Sequence, residues 1–326
     1  MQRVKWGIIG CGDVCEVKSG PAFYKCKHSE LTAVMRRDAG KAASFAQRHQ
    51  VARWYTDADA LINDPHIDII YVATPPSTHA YYTIRALKAG KPVYVEKPMA
   101  VSYDECLLMN QAAAAHNRQL WVAYYRRSLP YFLKIKEWID CQRIGQIQTV
   151  HTVFAQPPRD EDLISEQLPW RVNKEISGGG YFYDMAPHTI DIIQFLLGDI
   201  VEVKGLAGNV GKLYQSEDVV AASFLFQSGV TGSGLWNYVS SPAAKKDITE
   251  IYGTKGMIRF STFAFTPIAL ETALGVEYID LPKPQHIQQP FIQSIVNEIR
   301  GEGKAPSDGI SGMQTNWVIE QVIGKW

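Results

Sequence analysis

Short apolar runs alternate with stretches of helical period through the first third of the chain. Val4–Ile9 stops at Gly10, and further runs follow at Leu31–Met35, Ile67–Ala73, Pro92–Val95 and Leu120–Ala123. Runs this short, apolar on both faces, read as buried parallel strands. Between them Ala39–His49, Ser77–Ala89 and Tyr103–His116 read as helices, with Ser77 and Ser102 as N-caps of the latter two and Gly90 as a stop. Alternation at this spacing predicts βαβ units and a doubly wound parallel sheet covered on both faces.

After about residue 124 the pattern changes. Leu129–Cys141 has helical spacing, and strands dominate from Gln146 onward. Val230, Gly232, Gly234, Trp236 and Tyr238 alternate with Thr231, Ser233, Leu235 and Asn237, the period of a half-buried antiparallel strand. Gln227-Ser228-Gly229 and Gly253-Thr254-Lys255-Gly256 suit hairpin turns, and Phe291–Arg300 and Gly312–Ile323 read as closing helices. The expectation is two domains: an α/β domain over residues 1–123, and an α+β domain with a large open, mainly antiparallel sheet over 124–326.

Charge narrows the partners. Lys plus Arg and Asp plus Glu each number 33, so there is no basic excess to neutralise a nucleic acid, and a small molecule is the expected ligand. No run of about 18 apolar residues predicts a membrane span. The opening MQRVKWGIIGCG enters a strand directly and lacks the pattern of a secretory signal. Cys11, Cys15, Cys26, Cys106 and Cys141 are odd in number and form no C-x-x-C, which predicts a reduced, cytoplasmic chain. No metal-binding pattern is present.

Four segments carry candidate chemistry. Gly10-Cys11-Gly12-Asp13-Val14-Cys15 follows the first strand and opens a helical stretch; its glycines allow a tight turn and the approach of a pyrophosphate to backbone N–H groups. Cys15 takes the third place of this pattern, where Gly or Ala is usual. At the end of the second strand, Met35-Arg36-Arg37-Asp38 places two guanidiniums where a 2′-phosphate would lie, favouring NADP, while Asp38 leaves the NAD ribose as the alternative. Thr74-Pro75-Pro76 and Glu96-Lys97-Pro98 fall at carboxyl ends of parallel strands, where open α/β sheets bind ligands. Last comes Gly178-Gly179-Gly180, followed by Asp184 and His188 four residues apart. On a helix these share a face, and the carboxylate can orient the imidazole, although Pro187 should kink a helix under way or begin a new one.

Together these residues resemble the glucose-fructose oxidoreductase / inositol dehydrogenase (Gfo/Idh/MocA) family. The resemblance runs through GIIGCGDV, ATPPSTH, VYVEKPM, YRRSLP, the LPWRV-to-GGGYFYDMAPH segment and IYGTKG. It implies a Rossmann domain, a second domain whose large sheet makes a homodimer or homotetramer, a nicotinamide cofactor, and a sugar or cyclic polyol substrate. Lys97 matches the family's active-site lysine, and Asp184 and His188 its aspartate and histidine. Gly10, Gly12, Asp13, Val14, Thr74, Pro75, Pro76, His79 and Glu96 fall in its cofactor-side motifs, and Trp170-Arg171 matches a pair that touches the cofactor in some members. The Lys97–Pro98 bond is expected to be cis. Tyr124-Tyr125-Arg126 departs from the pattern, since many members carry an Asn before the arginine.

The resulting expectation is an oxidoreductase that prefers NADP and acts on a secondary alcohol or its ketone. His188 is the general base and Asp184 orients it; Lys97 hydrogen-bonds the reacting oxygen, with the reverse assignment of the proton left open. Two other classes compete: a redox-neutral enzyme performing hydrolysis or epimerisation on a retained cofactor, and a non-catalytic dinucleotide sensor.

Overall fold

Six strands pair in parallel in the order β3-β2-β1-β4-β5-β6: β1 (Val4–Ile9), β2 (Ser29–Met35), β3 (Arg53–Tyr55), β4 (Ile69–Val72), β5 (Val93–Val95) and β6 (Leu120–Val122). This computed structural model describes residues 3–324. Every residue of β4, β5 and β6 is buried, as sequences apolar on both faces require. The strand absent from the hydrophobic pattern is β3, a three-residue edge whose Arg53, Trp54 and Tyr55 are all partly or fully exposed.

The intervening helices are α1 (Asp13–Val17), α2 (Gly20–Lys25), α3 (Ala39–Arg48), α4 (Ala58–Ile62), α5 (His79–Lys88) and α6 (Tyr103–Ala115). Ser102 caps α6 as expected, accepting the Glu105 N–H at 3.2 Å. Ser77 does not cap α5. It lies inside a 3₁₀ turn at Pro76–Thr78, and Thr78 occupies the cap position. The Trp6, Phe23, Tyr71 and Tyr94 rings stack beneath the sheet, with Phe23–Tyr71 and Tyr71–Tyr94 centroids 5.2 and 4.8 Å apart. Aromatic pairs at such spacing add to the burial of their large surfaces.

A second sheet has eight strands in the order β14-β13-β12-β11-β7-β10-β9-β8. Its strands are β7 (Ile147–Ala155), β8 (Ile200–Gly208), β9 (Val219–Phe226), β10 (Thr231–Asn237), β11 (Lys246–Gly253), β12 (Gly256–Phe260), β13 (Ile268–Thr272) and β14 (Gly275–Ile279). All pairs are antiparallel except β7 with β10. Helices α7 (Pro130–Asp140), α8 (Lys174–Ser177) and α9 (Tyr181–Leu197) accompany it. The alternation along β10 is real: Gly232, Gly234 and Trp236 are buried, and Thr231, Ser233 and Leu235 are exposed. Phe182 of α9 meets the Trp236 ring edge-on at 5.1 Å on the covered face.

The open face has its own order. Cross-strand pairing sets Leu206, Ala221, Leu235, Val153 and Ile248 side by side across five strands. Leu206 is 80% exposed and Leu235 39%.

The chain does not divide at one cut after residue 123. The residues through Leu129 form one unit with Pro284–Met313, and Pro130–Lys283 form the other with the residues from Gln314 on. Helix α10 (Gln289–Ile299) therefore belongs with the parallel sheet, and α11 (Gly309–Ile323) contributes its first residues to that unit and its later ones to the second.

Candidate active site

Strand β1 ends in a glycine turn whose two glycines do different things. Gly10 has φ +89°, and a Cβ there would lie 2.7 Å from Thr74 Cγ2 and 3.0 Å from the backbone of Ala73 and Thr74. Only glycine fits. Gly12 is extended, donates its N–H to the Gly10 carbonyl at 2.7 Å, and would aim a Cβ into open space, with Gly10 O its nearest neighbour at 3.9 Å. Asp13 and Val14 open α1, which is only five residues long; α2 begins anew at Gly20, packed so closely on Cys15 O that a Cβ would overlap it. Cys15 is buried with its thiol directed to Gly10 O at 3.9 Å. Burial pushes the Cys11 thiol up to about 11, against the pull of the nearby Arg36 charge, and raises Cys15 further. Both are packing residues in the thiol form.

A cavity of about 380 Å³ opens at the carboxyl ends of β1, β2 and β4. Gly10 and Gly12 line it after β1, Met35, Arg36, Arg37, Asp38 and Lys41 after β2, and Ala73, Thr74 and Pro75 after β4, with Tyr82 from α5. Strand order reverses between β1 and β4, the place where open α/β sheets bind their ligands. Gly12's missing side chain and the cations beside it suit a dinucleotide's phosphates. Lys41 and Tyr82 escaped the sequence reading; the only signal for Lys41 was its place three residues after the cap-forming Asp38.

His79 and Glu96 play a part different from the one their motifs implied. His79 is fully buried, with Nε2 2.7 Å from the Thr74 carbonyl and Nδ1 2.9 Å from that of Pro98. It ties the loop after β4 to the loop after β5, its side chain shut off from the cavity. Burial drives its pKa down, opposed by the two carbonyl acceptors. Glu96 is buried as well, accepting from Tyr71 OH at 2.5 Å, Gln288 Nε2 at 2.6 Å and the Lys97 N–H at 3.2 Å. Gln288 in turn accepts from Tyr94 OH at 2.8 Å. A buried carboxylate supplied with donors in this way is a rigid support. It holds Lys97, whose bond to Pro98 is cis.

In the second unit α9 carries Asp184 and His188 one turn apart, and it passes through Pro187 as a single helix. The Gly178–Gly180 triplet serves packing. Gly178 ends α8 at φ +89°, and a Cβ on Gly180 would lie 2.7 Å from both Glu217 O and Ser216 Oγ. Glu217 also accepts the Gly180 N–H at 2.7 Å, fixing the start of α9. His188 is 6% exposed, with Phe263 edge-on at 5.8 Å. Asp184 Oδ2 is 3.4 Å from Arg171 Nε, and that guanidinium lies 4.7 Å over the Trp170 ring. Arg171 is thus engaged with the carboxylate of the Asp–His pair. The Tyr124-Tyr125-Arg126 departure is buried in the first unit, where Arg126 Nη1 donates to Tyr125 OH at 3.2 Å. Among the described residues, no group of three or more His, Cys, Asp or Glu side chains is placed to hold a metal ion, and no helix is long and apolar enough to cross a membrane.

A cavity at the switch point of a parallel sheet, beside a glycine that leaves room for phosphate, marks a dinucleotide-binding domain of the Rossmann class. The oxidoreductase family with an NAD-binding Rossmann fold, Gfo/Idh/MocA, matches residues 4–124, and the Gfo/Idh/MocA C-terminal domain matches residues 132–259. The chain belongs to this family. It is 41% identical over 304 residues to oxidoreductase P35 of Formosa agariphila, covering 93% of each chain. It is 25% identical to the 1,5-anhydro-D-fructose reductase of Ensifer adhaerens over 95% of this chain and 92% of that one. Among solved structures, levoglucosan dehydrogenase in complex with NADH superposes with a TM-score of 0.89 at 22% identity, covering 98% of this chain and 96% of the other.

Proposed function

We propose that this enzyme interconverts a secondary alcohol of a sugar or cyclic polyol and its ketone, with NADP(H) preferred over NAD(H). The observation that carries the reading is the cavity beyond β1, β2 and β4, open at Gly12 and flanked by Arg36 and Arg37. The names of relatives, an anhydrofructose reductase and a levoglucosan dehydrogenase, support the substrate class. A bound nicotinamide supplies the hydride acceptor or donor. Gly10 and Gly12 keep the turn low beneath the pyrophosphate, with Thr74 and Pro75 lining the cavity beside them. His188 takes the hydroxyl proton as alcohol becomes ketone, and returns it in the reverse direction. Asp184 orients the imidazole, and Arg171 lies beside its carboxylate. Lys97 donates a hydrogen bond to the reacting oxygen and shares its developing charge. The enzyme works in the reducing cytoplasm, where its five free cysteines remain thiols. It assembles as a dimer or dimer of dimers through the open face of the eight-stranded sheet.

The test is a panel of sugars, polyols and their ketones, followed by nicotinamide absorbance with each cofactor. Turnover of a sugar or polyol, faster with NADP(H), is the expected result. Product formation without net change in absorbance would assign a redox-neutral reaction instead, and cofactor binding without any product would leave a sensor.

A further inference from the structure

The segment that returns to the parallel sheet near the end of the chain is anchored before it reaches α10. The Gln288 N–H donates to the Lys18 carbonyl at 3.3 Å, just past α1, and His286 Nδ1 lies 2.8 Å from the Val17 carbonyl. From that anchorage the Gln288 side chain is buried. Its amide stands between two groups: Tyr94 OH donates to Oε1 at 2.8 Å, and Nε2 donates to Glu96 Oε1 at 2.6 Å. Only this orientation serves both. Turned over, the amide would set its oxygen against the Glu96 carboxylate, an acceptor facing an acceptor.

Glu96 receives donors on both oxygens. Oε1 accepts from Gln288 and from Tyr71 OH at 2.5 Å, and Oε2 accepts the Lys97 N–H at 3.2 Å. The carboxyl group is thereby fixed in one rotation, with one oxygen on Gln288 and Tyr71 and the other on the backbone of Lys97. Tyr71 of β4, Tyr94 of β5, Cys15 of α1 and His79 of α5 are the titratable side chains that face it. Burial keeps both phenols and the thiol protonated and drives His79 toward its neutral form, so these four set no charge against Glu96 at neutral pH.

We propose that Gln288 is a positioning residue for Lys97: its amide holds the Glu96 carboxylate in the rotation that receives the Lys97 N–H, and so sets the aim of the lysine. The proposal rests on the reading of Lys97 as the group that meets the reacting oxygen. Strand β5 ends at Val95, which leaves Lys97 beyond the ladder of the sheet and dependent on what secures Glu96. A displacement of about 1 Å at a reacting group can cost about a hundredfold in rate, so a support governs turnover without touching the substrate.

Gln288→Leu removes the amide, and Trp121→Phe is its control. The Trp121 indole donates to Glu298 Oε2 at 2.9 Å, so the control also severs a buried hydrogen bond to the returning segment, outside the Glu96 network. Amide hydrogen exchange of the full-length protein, resolved to Lys97, should be at least about tenfold faster in Gln288→Leu and unchanged in Trp121→Phe. Turnover is read with the sugar or polyol that the unaltered enzyme converts fastest, at a temperature where both variants are folded. There kcat of Gln288→Leu should fall about ten- to a hundredfold, with KM and NADPH affinity within about threefold, and Trp121→Phe should keep its kcat. If Gln288→Leu does not fold, Gln288→Glu replaces it, since a protonated carboxyl of the same size donates to Glu96 and accepts from Tyr94. That variant works only while it keeps its proton, because two adjacent buried carboxyls do not both ionise. Its kcat relative to the unaltered enzyme should hold at pH 6 and fall at least about tenfold by pH 10. An unchanged Lys97 exchange rate, equal kcat in Gln288→Leu and Trp121→Phe, or a Gln288→Glu enzyme that tracks the unaltered one across this range would overturn the proposal. If Lys97→Ala keeps full turnover, the reading of Lys97 fails instead, and the exchange rate still decides whether Gln288 holds the lysine's backbone.

Discussion

Alanine at the two glycines of the β1 turn should have opposite consequences. At Gly10 an alanine would sit at φ +89°, which costs an L-residue about 1–2 kcal/mol. Its methyl would also press to 2.7 Å from Thr74 Cγ2 and 3.0 Å from backbone atoms, and overpacking of this kind adds about 1–3 kcal/mol. Gly10→Ala should therefore lose about 2–5 kcal/mol of stability. At a sensitivity of about 2–4 °C per kcal/mol, the unfolding midpoint should drop by about 4–20 °C. Gly12 has φ −100° and ψ −159°, open to any residue, and nothing nearer than 3.9 Å to its notional Cβ. Gly12→Ala should leave the midpoint unchanged or raise it, since alanine restricts the unfolded chain. Yet its methyl would occupy the gap that a pyrophosphate needs, and NADPH affinity should fall at least about tenfold, or 1.4 kcal/mol. Differential scanning fluorimetry gives the first quantity and titration of NADPH fluorescence the second. A Gly12→Ala protein that binds NADPH as tightly as the unaltered one would refute the cradle. A Gly10→Ala protein that melts normally would refute the strain argument.

Other expectations follow from sites elsewhere in the chain. His188→Ala should lower turnover by about 10²–10⁴ and leave NADPH affinity intact, with Asp184→Asn less damaging; full turnover in His188→Ala would move the proton to Lys97. Asp64, nearly buried, resists burial's upward push because it accepts from Arg53 at 2.9 Å, Tyr55 OH at 2.9 Å and the His66 N–H at 2.8 Å, and its pKa ends far below the ordinary carboxylate value. A depressed folded pKa gives stability that is present above about pH 4 and lost as pH falls, so the deficit of Asp64→Asn, about 2–3 kcal/mol at neutral pH, should shrink in acid; denaturant titrations showing the same deficit at pH 3 and pH 7 would contradict this. On the open sheet face, Leu206→Glu combined with Leu235→Glu should convert a dimer to a monomer in light scattering, and an unaltered protein that is already monomeric would remove that surface as an interface.

Much of this architecture was legible because burial on both faces leaves a plain signature. Val4–Ile9 matches β1 end to end, and the buried and exposed sets of β10 follow the alternation of its residues. Edge strand β3 was invisible for the opposite reason: Arg53-Trp54-Tyr55 is short and polar enough to pass for a loop. At the site, residue types announced chemistry but not division of labour. The motif containing His79 suggested cofactor contact, yet an imidazole between two carbonyls is a brace. The glycine triplet before α9 was plain in the sequence but its purpose was not: Ser216, Glu217 and Tyr183 fill the space its side chains would need. Gln288 could not be found at all. Its partner Glu96 is 192 positions away, and no periodicity records a contact at that separation.

The return of residues 284–313 to the parallel sheet sets a condition on how the protein comes into being. A ribosome that has released the first 129 residues has delivered all six strands of that sheet, but neither Gln288, which serves Glu96 and Tyr94, nor Glu298, which accepts the Trp121 indole N–H at 2.9 Å. Until those side chains emerge, the Tyr94 phenol and the Trp121 indole lack the acceptors they have in the finished protein and Glu96 lacks one of its three donors; a buried group left unsatisfied costs about 1–3 kcal/mol. The sheet reaches its full stability only once residues 284–313 have joined it. A product truncated before α10 should therefore hold its parallel sheet less firmly than the full chain, by the cost of those unmatched groups.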